Sequence, residues 1–207
     1  MTPRQRGRPK SDPSRDLRAE LLYTSRMLLD EGGTGALSMR EVARRAGCTH
    51  QAPYHYFEDR ETILGTLVSE GFDELARRLC VANDLAAKQG VRAALIASGR
   101  AYLDFALSQP GVFRVMYRPD VCNPLRFPSI RDAGARAHAE LERLNRIVHG
   151  RKATQARASI LWAHVHGLAC LLIDGPLAIA FETEQERQLH LDDVADEFAD
   201  MVLSVRV

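Results

Sequence analysis

The chain has 207 residues, 45% of them hydrophobic, which is enough for one mid-sized domain or two small ones with a real core. Its formal net charge of +1 gives no overall case for a polyanionic partner, yet the charge is uneven: residues 1–60 hold eleven Lys/Arg against eight Asp/Glu, and residues 61–207 hold seventeen against nineteen. No apolar run reaches the roughly 18 residues of a membrane span, and the polar, proline-containing start is not a signal peptide. Cysteines at 48, 80, 122 and 170 form neither a C-x-x-C nor a zinc spacing, so the expectation is reduced thiols in a cytoplasmic protein with no metal or cofactor.

In chain order, residues 1–14 (MTPRQRGRPKSDPS) are basic, proline-rich and without apolar periodicity, the pattern of a disordered arm. Its Arg6-Gly7-Arg8-Pro9 core resembles an AT-hook, in which extended backbone sets arginines into a narrow A·T minor groove. A generic basic tail touching only phosphates is the reading the residues favour, since a single four-residue match carries little weight. Asp12-Pro13 has the form of a helix start, a capping Asp with Pro at the first position. A first helix then runs to about Glu31, with Leu17, Leu21 and Leu28 on one face, and Gly32-Gly33 ends it.

The next segment is SMREVARRAGCTHQAPYHYF, Ser38 to Phe57. Ser38 and Glu41 form an S-x-x-E capping box. Val42, Ala43 and Ala46 give the second helix a small apolar face, and Gly47 stands where a left-handed residue ends a helix. Thr49 is placed to cap a third helix of about two turns, which Pro53 would shorten or bend. Two short helices joined by a glycine-containing turn make a helix-turn-helix. The third helix would aim His50 and Gln51 at base edges, with Arg40, Thr49, Tyr54, His55 and Arg60 on phosphates. Glu58-Asp59 opens a fourth helix through Ile63, Leu64, Leu67, Phe72 and Leu75.

These residues resemble the TetR (tetracycline-repressor-like) family of transcriptional regulators. The likeness covers roughly Leu17 to Leu67 and rests on Gly35-Ala36-Leu37-Ser38, Glu41-Val42-Ala43, Ala46-Gly47, Tyr54-His55-Tyr56-Phe57 and Arg60-Glu61-Thr62-Ile63-Leu64. Cys48 and Arg60 stand where the family more often has an aliphatic residue and Lys. The resemblance implies a DNA-binding homodimer on a palindromic operator, with a small-molecule effector and no enzymatic activity.

The remainder reads as helical, without period-two alternation long enough for a strand. Helices are expected over Val91–Leu107, from Pro110 to Tyr117, from a cap at Ser129 with Asp132 to His149, over 152–174, and from a Thr183/Glu186 capping box to about Ser204. The expected fold is all-α with about nine helices. It comprises the arm (1–14), a three-helix helix-turn-helix head (15–60) and a larger ligand-binding and dimerisation domain (61–207). The 152–174 helix is apolar nearly all round, which predicts burial on several sides. Its Trp162-x-x-x-His166-Gly167 element resembles a C-terminal subtype of the family. With the stripe Leu191, Val194, Phe198, Met201 and Val205 it suits a four-helix interface between two subunits, a reading that competes with plain monomer core. A mostly apolar effector would sit among Phe105, Phe113, Met116, Tyr117, Trp162 and His166.

Two other classes are open. An architectural protein on A·T tracts would need the arm alone, and the large apolar C-terminal part argues against it. A Cys/His enzyme has a poor case. His164 and His166 lie about 200° apart on a helix and cannot chelate one metal, and burial would keep a Cys170 thiol beside His166 inert. No H-E-x-x-H, G-x-S-x-G or phosphate-binding glycine loop is present.

Overall fold

A computed structural model describes residues 16–204, and among these residues the structure is helical with no strand. The predicted start at Asp12-Pro13, the Arg6 and Arg8 arm and Val205 lie outside the described residues. Helix α1 (Leu17–Ala36) is capped by Asp16, whose Oδ1 accepts the Ala19 N–H at 3.0 Å. It buries Leu21, Leu22, Leu28 and Leu29 on one face. The predicted break appears at Gly32-Gly33, where Gly33 takes φ +62°, and one further turn follows it.

Helix α2 (Met39–Arg45) starts on Ser38, whose Oγ accepts the Glu41 N–H at 3.2 Å. Only half of the expected capping box forms. The Glu41 carboxylate turns forward to Arg44 (2.8 and 2.6 Å) and Arg45 (3.1 Å) rather than back to Ser38. Those guanidinium groups, Arg44 first, hold the Glu41 pKa down to about 2. The end of α2 is a Schellman turn: Gly47 sits at φ +64°, its N–H donates to Arg44 O, and the Cys48 N–H donates to Ala43 O at 3.0 Å.

The third helix differs from the expectation. It is a single 3-10 turn, Ala52–His55, with no side-chain cap; Thr49 contributes its carbonyl, not its hydroxyl, to the Ala52 N–H. Pro53, at the start of the turn, has no N–H to give to an α-helical ladder, and its buried ring anchors the turn.

Helix α3 (Arg60–Asp84) is capped by Asp59, whose Oδ1 accepts the Thr62 N–H at 2.8 Å. Then come α4 (Ala86–Gln89), α5 (Val91–Ser108), α6 (Pro110–Met116), α7 (Pro128–His149), α8 (Gln155–Ile173) and α9 (Glu184–Ser204). The predicted Ser129 cap is not one. Pro128 opens α7 with Phe127 at the cap, and Ser129 lies inside the helix with its carbonyl accepting from Ser69 Oγ. At α9 the full reciprocal box is made. Thr183 Oγ1 accepts the Glu186 N–H (3.1 Å), and the Glu186 carboxylate accepts the N–H groups of Glu182 (2.9 Å) and Thr183 (3.4 Å).

The helices bury one core that runs from head to body. Leu21, Leu37, Val42, Phe57, Ile63 and Leu64 are continuous with Phe72, Leu75, Phe105 and Phe113. Helix α3 is the shared element, and along its length it packs on α7 and α5. A smaller cluster of Leu95, Leu144, Val148, Leu161 and Phe198 closes the far end. Two further ties cross between the halves. Arg126 in the 117–127 connection pairs with Asp59 (2.6 Å) and with Glu61. Gly111, on α6, donates its N–H to Asp30 Oδ1 at 2.7 Å.

Helix α8 corrects one expectation. It is 19 residues long with a mean hydropathy of 1.4 over its most apolar window, so one described helix does meet the length and composition of a membrane span. Within the single chain it is buried on one side only: Ile160 is 60% exposed, Leu171 43% and Trp162 38%. Its inner face packs on α5 and α7, and its outer apolar face has no cover in the single chain.

Candidate functional site

At the head, the Schellman turn and the Pro53 anchor fix a compact rim. Arg40, Thr49, His50, Gln51, Tyr54, His55 and Arg60 are all exposed on it. Arg40, His50 and Tyr54 line one shallow hollow, and Gln51 Nε2 lies 3.3 Å from His50 Nε2. Arg44 and Arg45 are held by Glu41 and Glu31. Arg40 and Arg60 make no ion pair among the described residues, so their charges are available to an anion. Phe57 is buried behind the rim with the Arg18 guanidinium 5.6 Å from its ring centroid. Tyr56 is also exposed on this rim, beside the residues named from sequence.

In the body, a cavity of about 270 Å³ lies between α3, α5, α7, α8 and α9. Most of its wall is apolar, including Phe72, Leu75, Leu95, Leu103 and Leu144. Of the six effector contacts expected from sequence, Tyr117 and Trp162 line it. Phe105, Phe113 and Met116 do not; they are buried in the core that joins α6 to α3 and α1. His166 stands behind the wall, with Nδ1 2.9 Å from Tyr102 Oη and its ring 4.8 Å from that of Tyr117. The Tyr102 and Tyr117 hydroxyls are 3.2 Å apart, and Trp162 Nε1 donates to Tyr102 Oη at 3.4 Å. Burial pushes the Tyr102 pKa up to about 12 and that of Tyr117 well above its ordinary value, so both stay protonated at neutral pH. Burial also lowers the pKa values of His164 and His166, which favours neutral rings.

Among the polar residues of the cavity wall not named as effector contacts from sequence are Asn83, Ser98 and Glu140, which meet one another. The signal present was Ser98, which falls on the apolar face of α5. A buried hydroxyl there needs a partner, and Asn83 Oδ1 supplies one at 2.6 Å. Cys170 is exposed, which corrects the expectation of a buried thiol, and its Sγ lies 3.7 Å from His166 Nε2.

The predicted dimer stripe divides. Leu191 and Phe198 are buried within the subunit, and Phe198 stacks flat on His164 with ring centroids 3.6 Å apart. Val194 lines the cavity, and Met201 is 57% exposed. The apolar side chains left uncovered on these two helices are Ile160 and Leu171, on one face of α8, and Leu189 and Met201 of α9. Within its own chain α9 packs on α5, and its Phe198 stacks on His164 of α8.

Comparison with known proteins bears on both halves. Residues 21–67 match the family described as bacterial regulatory proteins, tetR family, and residues 95–194 match the tetracyclin repressor-like C-terminal domain. The chain belongs to the TetR family. The N-terminal match holds the helix-turn-helix rim, and the C-terminal match holds most of the cavity wall. The subtype read from the W-x-x-x-H-G element stays a resemblance.

Among curated relatives, the HTH-type transcriptional regulator Rv1816 of Mycobacterium tuberculosis is 32% identical over 92 residues, 44% of this chain. The match spans only 39% of that relative's length. A solved protein of unknown function from Rhodococcus sp. RHA1 is 28% identical, with a TM-score of 0.69 over 96% of this chain and 98% of its own. A tetR-family regulatory protein from Rhodococcus RHA1, 17% identical with a TM-score of 0.69, covers 92% of this chain and 97% of its own and shares the fold.

Proposed function

We propose that this TetR-family chain is a cytoplasmic homodimeric repressor. It binds a palindromic operator through its two heads and is released when a small, mostly apolar molecule fills the cavity. The carrying observation is that one helix serves both sites. Helix α3 begins at Arg60 on the DNA-facing rim and lines the cavity with Phe72, Leu75, Leu79 and Asn83. A molecule in the cavity thus presses on the helix that sets the position of the head. It shifts the equilibrium only by its differential affinity for the DNA-competent and released arrangements.

In this reading His50 and Gln51 read base edges, while Arg40, Thr49, Tyr54, His55 and Arg60 hold phosphates. The arm with Arg6 and Arg8 adds either minor-groove or phosphate contacts. Pairing through α8 and α9 sets the two heads about one helical turn apart, roughly 34–36 Å. The test is a mobility-shift titration on the DNA beside the chain's own gene, using single-base variants of the site. Gln51→Ala is expected to relax preference at one base position, at a cost of roughly 1–3 kcal/mol. Arg60→Ala is expected to weaken all sites alike. An unchanged base preference in Gln51→Ala would show that the rim does not read sequence through this residue.

A further inference from the structure

The polar end of the cavity is one-sided. Asn83, 1% exposed, spends both amide hydrogens on Glu140, one on its backbone carbonyl (3.0 Å) and one on Oε2 (2.8 Å). Its carbonyl accepts the Ser98 hydroxyl proton. What remains for a guest is acceptor capacity: the Ser98 Oγ lone pairs and Glu140 Oε1, which takes no hydrogen bond among the described residues.

The cations near the cavity are already engaged. Arg143 reaches Glu140 Oε2 only at 3.4 Å and is held by Asp84 on its other side. Arg100 lines the wall but is paired with Asp192. His138 lies 3.5 Å from Glu142, and burial favours the neutral form of His164. At this end of the cavity no donor is left over: the Asn83 amide and the Ser98 hydroxyl are both used, and Trp162 Nε1 is turned to Tyr102.

A carboxylate guest would meet a carboxylate with no free cation to balance it, and its desolvation would go uncompensated. A guest bearing N–H donors on an apolar body satisfies both ends of the site. A dry cavity of about 150 Å³ holds benzene, so 270 Å³ holds a ring with a short alkyl chain.

We infer that the effector class is a lipophilic amine, its apolar body against Phe72, Leu95 and Leu144 and its N–H donors on Glu140 Oε1 and Ser98 Oγ. This rests on the cavity being the effector site and adds the sign of its charge.

Three probes with one body separate the two readings: 4-phenylbutylamine, 4-phenylbutyrate and butylbenzene. Binding is read from the fluorescence of Trp162, the chain's single tryptophan and part of the wall, and from thermal shift. The amine is expected to bind roughly tenfold or more tightly than the acid, the scale of one charge-assisted hydrogen bond. In Glu140→Gln, which keeps an acceptor for Asn83 and should preserve the helix pair, that preference should shrink to within roughly threefold, with butylbenzene unchanged. If butylbenzene binds and the acid equals or exceeds the amine, the cavity reading stands and the amine inference falls. An amine preference that survives Glu140→Gln also overturns it. If none of the three binds, the cavity reading itself fails and takes the inference with it.

Discussion

Ile160→Asp is expected to yield a folded monomer that no longer holds its operator. Ile160 is 60% exposed on the uncovered face of α8, so the subunit loses little of its own packing when a carboxylate replaces the side chain. In the proposed dimer the same position is dry and apolar, and an unpaired carboxylate there costs several kcal/mol. Two linked heads bind through effective concentration, and separating them removes roughly 10²–10⁴-fold of operator affinity. Sedimentation at micromolar concentration should show the change from dimer to monomer, with unchanged helical circular dichroism. Phe198→Asp should behave differently. Phe198 is 9% exposed and stacked on His164, so its loss opens the far-end core and the subunit itself unfolds. An Ile160→Asp variant that stays dimeric would place the interface elsewhere.

Gly111→Ala is expected to give the largest loss of stability from a single methyl group. A Cβ at Gly111 would sit 2.4 Å from Leu29 C and 2.6 Å from Asp30 N. Those are backbone atoms of α1, which no rotamer change can move. Helix α6 must back away from α1, and the Gly111 N–H to Asp30 Oδ1 bond is lost with it. Overpacking costs roughly 1–3 kcal/mol, and a clash with backbone belongs at the upper end. For a chain of this size that lowers Tm by roughly 2–4 °C per kcal/mol. Gly99→Ala is the matched control in the same body. A Cβ there meets nothing within 4 Å, so the helix should gain roughly 0.5–1 kcal/mol. Equal melting of the two variants would show that the α1–α6 approach is not what joins head and body.

The parts legible in the sequence were those fixed by chemistry within a few residues. Asp59, Thr183 and Gly47 announce helix ends because a carboxylate, a hydroxyl or a missing Cβ meets backbone groups three to five positions away. The exposed rim followed from the same local rules. Ser129 misled because Pro128, one residue earlier, opens the helix first. Glu41 misled in part because two arginines on its own helix compete for the carboxylate.

The cavity was not legible in the same way. Helical spacing marks Phe105, Phe113 and Met116 as inward-facing, but an inward residue fills a core or lines a void according to partners far along the chain. Asn83, Ser98 and Glu140 come from three helices, and only the packing of α3, α5 and α7 brings them together. The apolar circumference of α8 called for cover on several sides, from its own chain or from a second subunit, without saying which side would face which. Only the structure shows which side its neighbours leave open.

The most direct test of the account is nuclease footprinting of the wild-type chain on DNA flanking its own gene, repeated with 4-phenylbutylamine present. The account predicts one protected palindrome, with half-sites about one helical turn apart, whose protection fades as the amine fills the cavity. Protection of many scattered A·T tracts that the amine does not alter would contradict it and leave a DNA-coating protein that works through its arm.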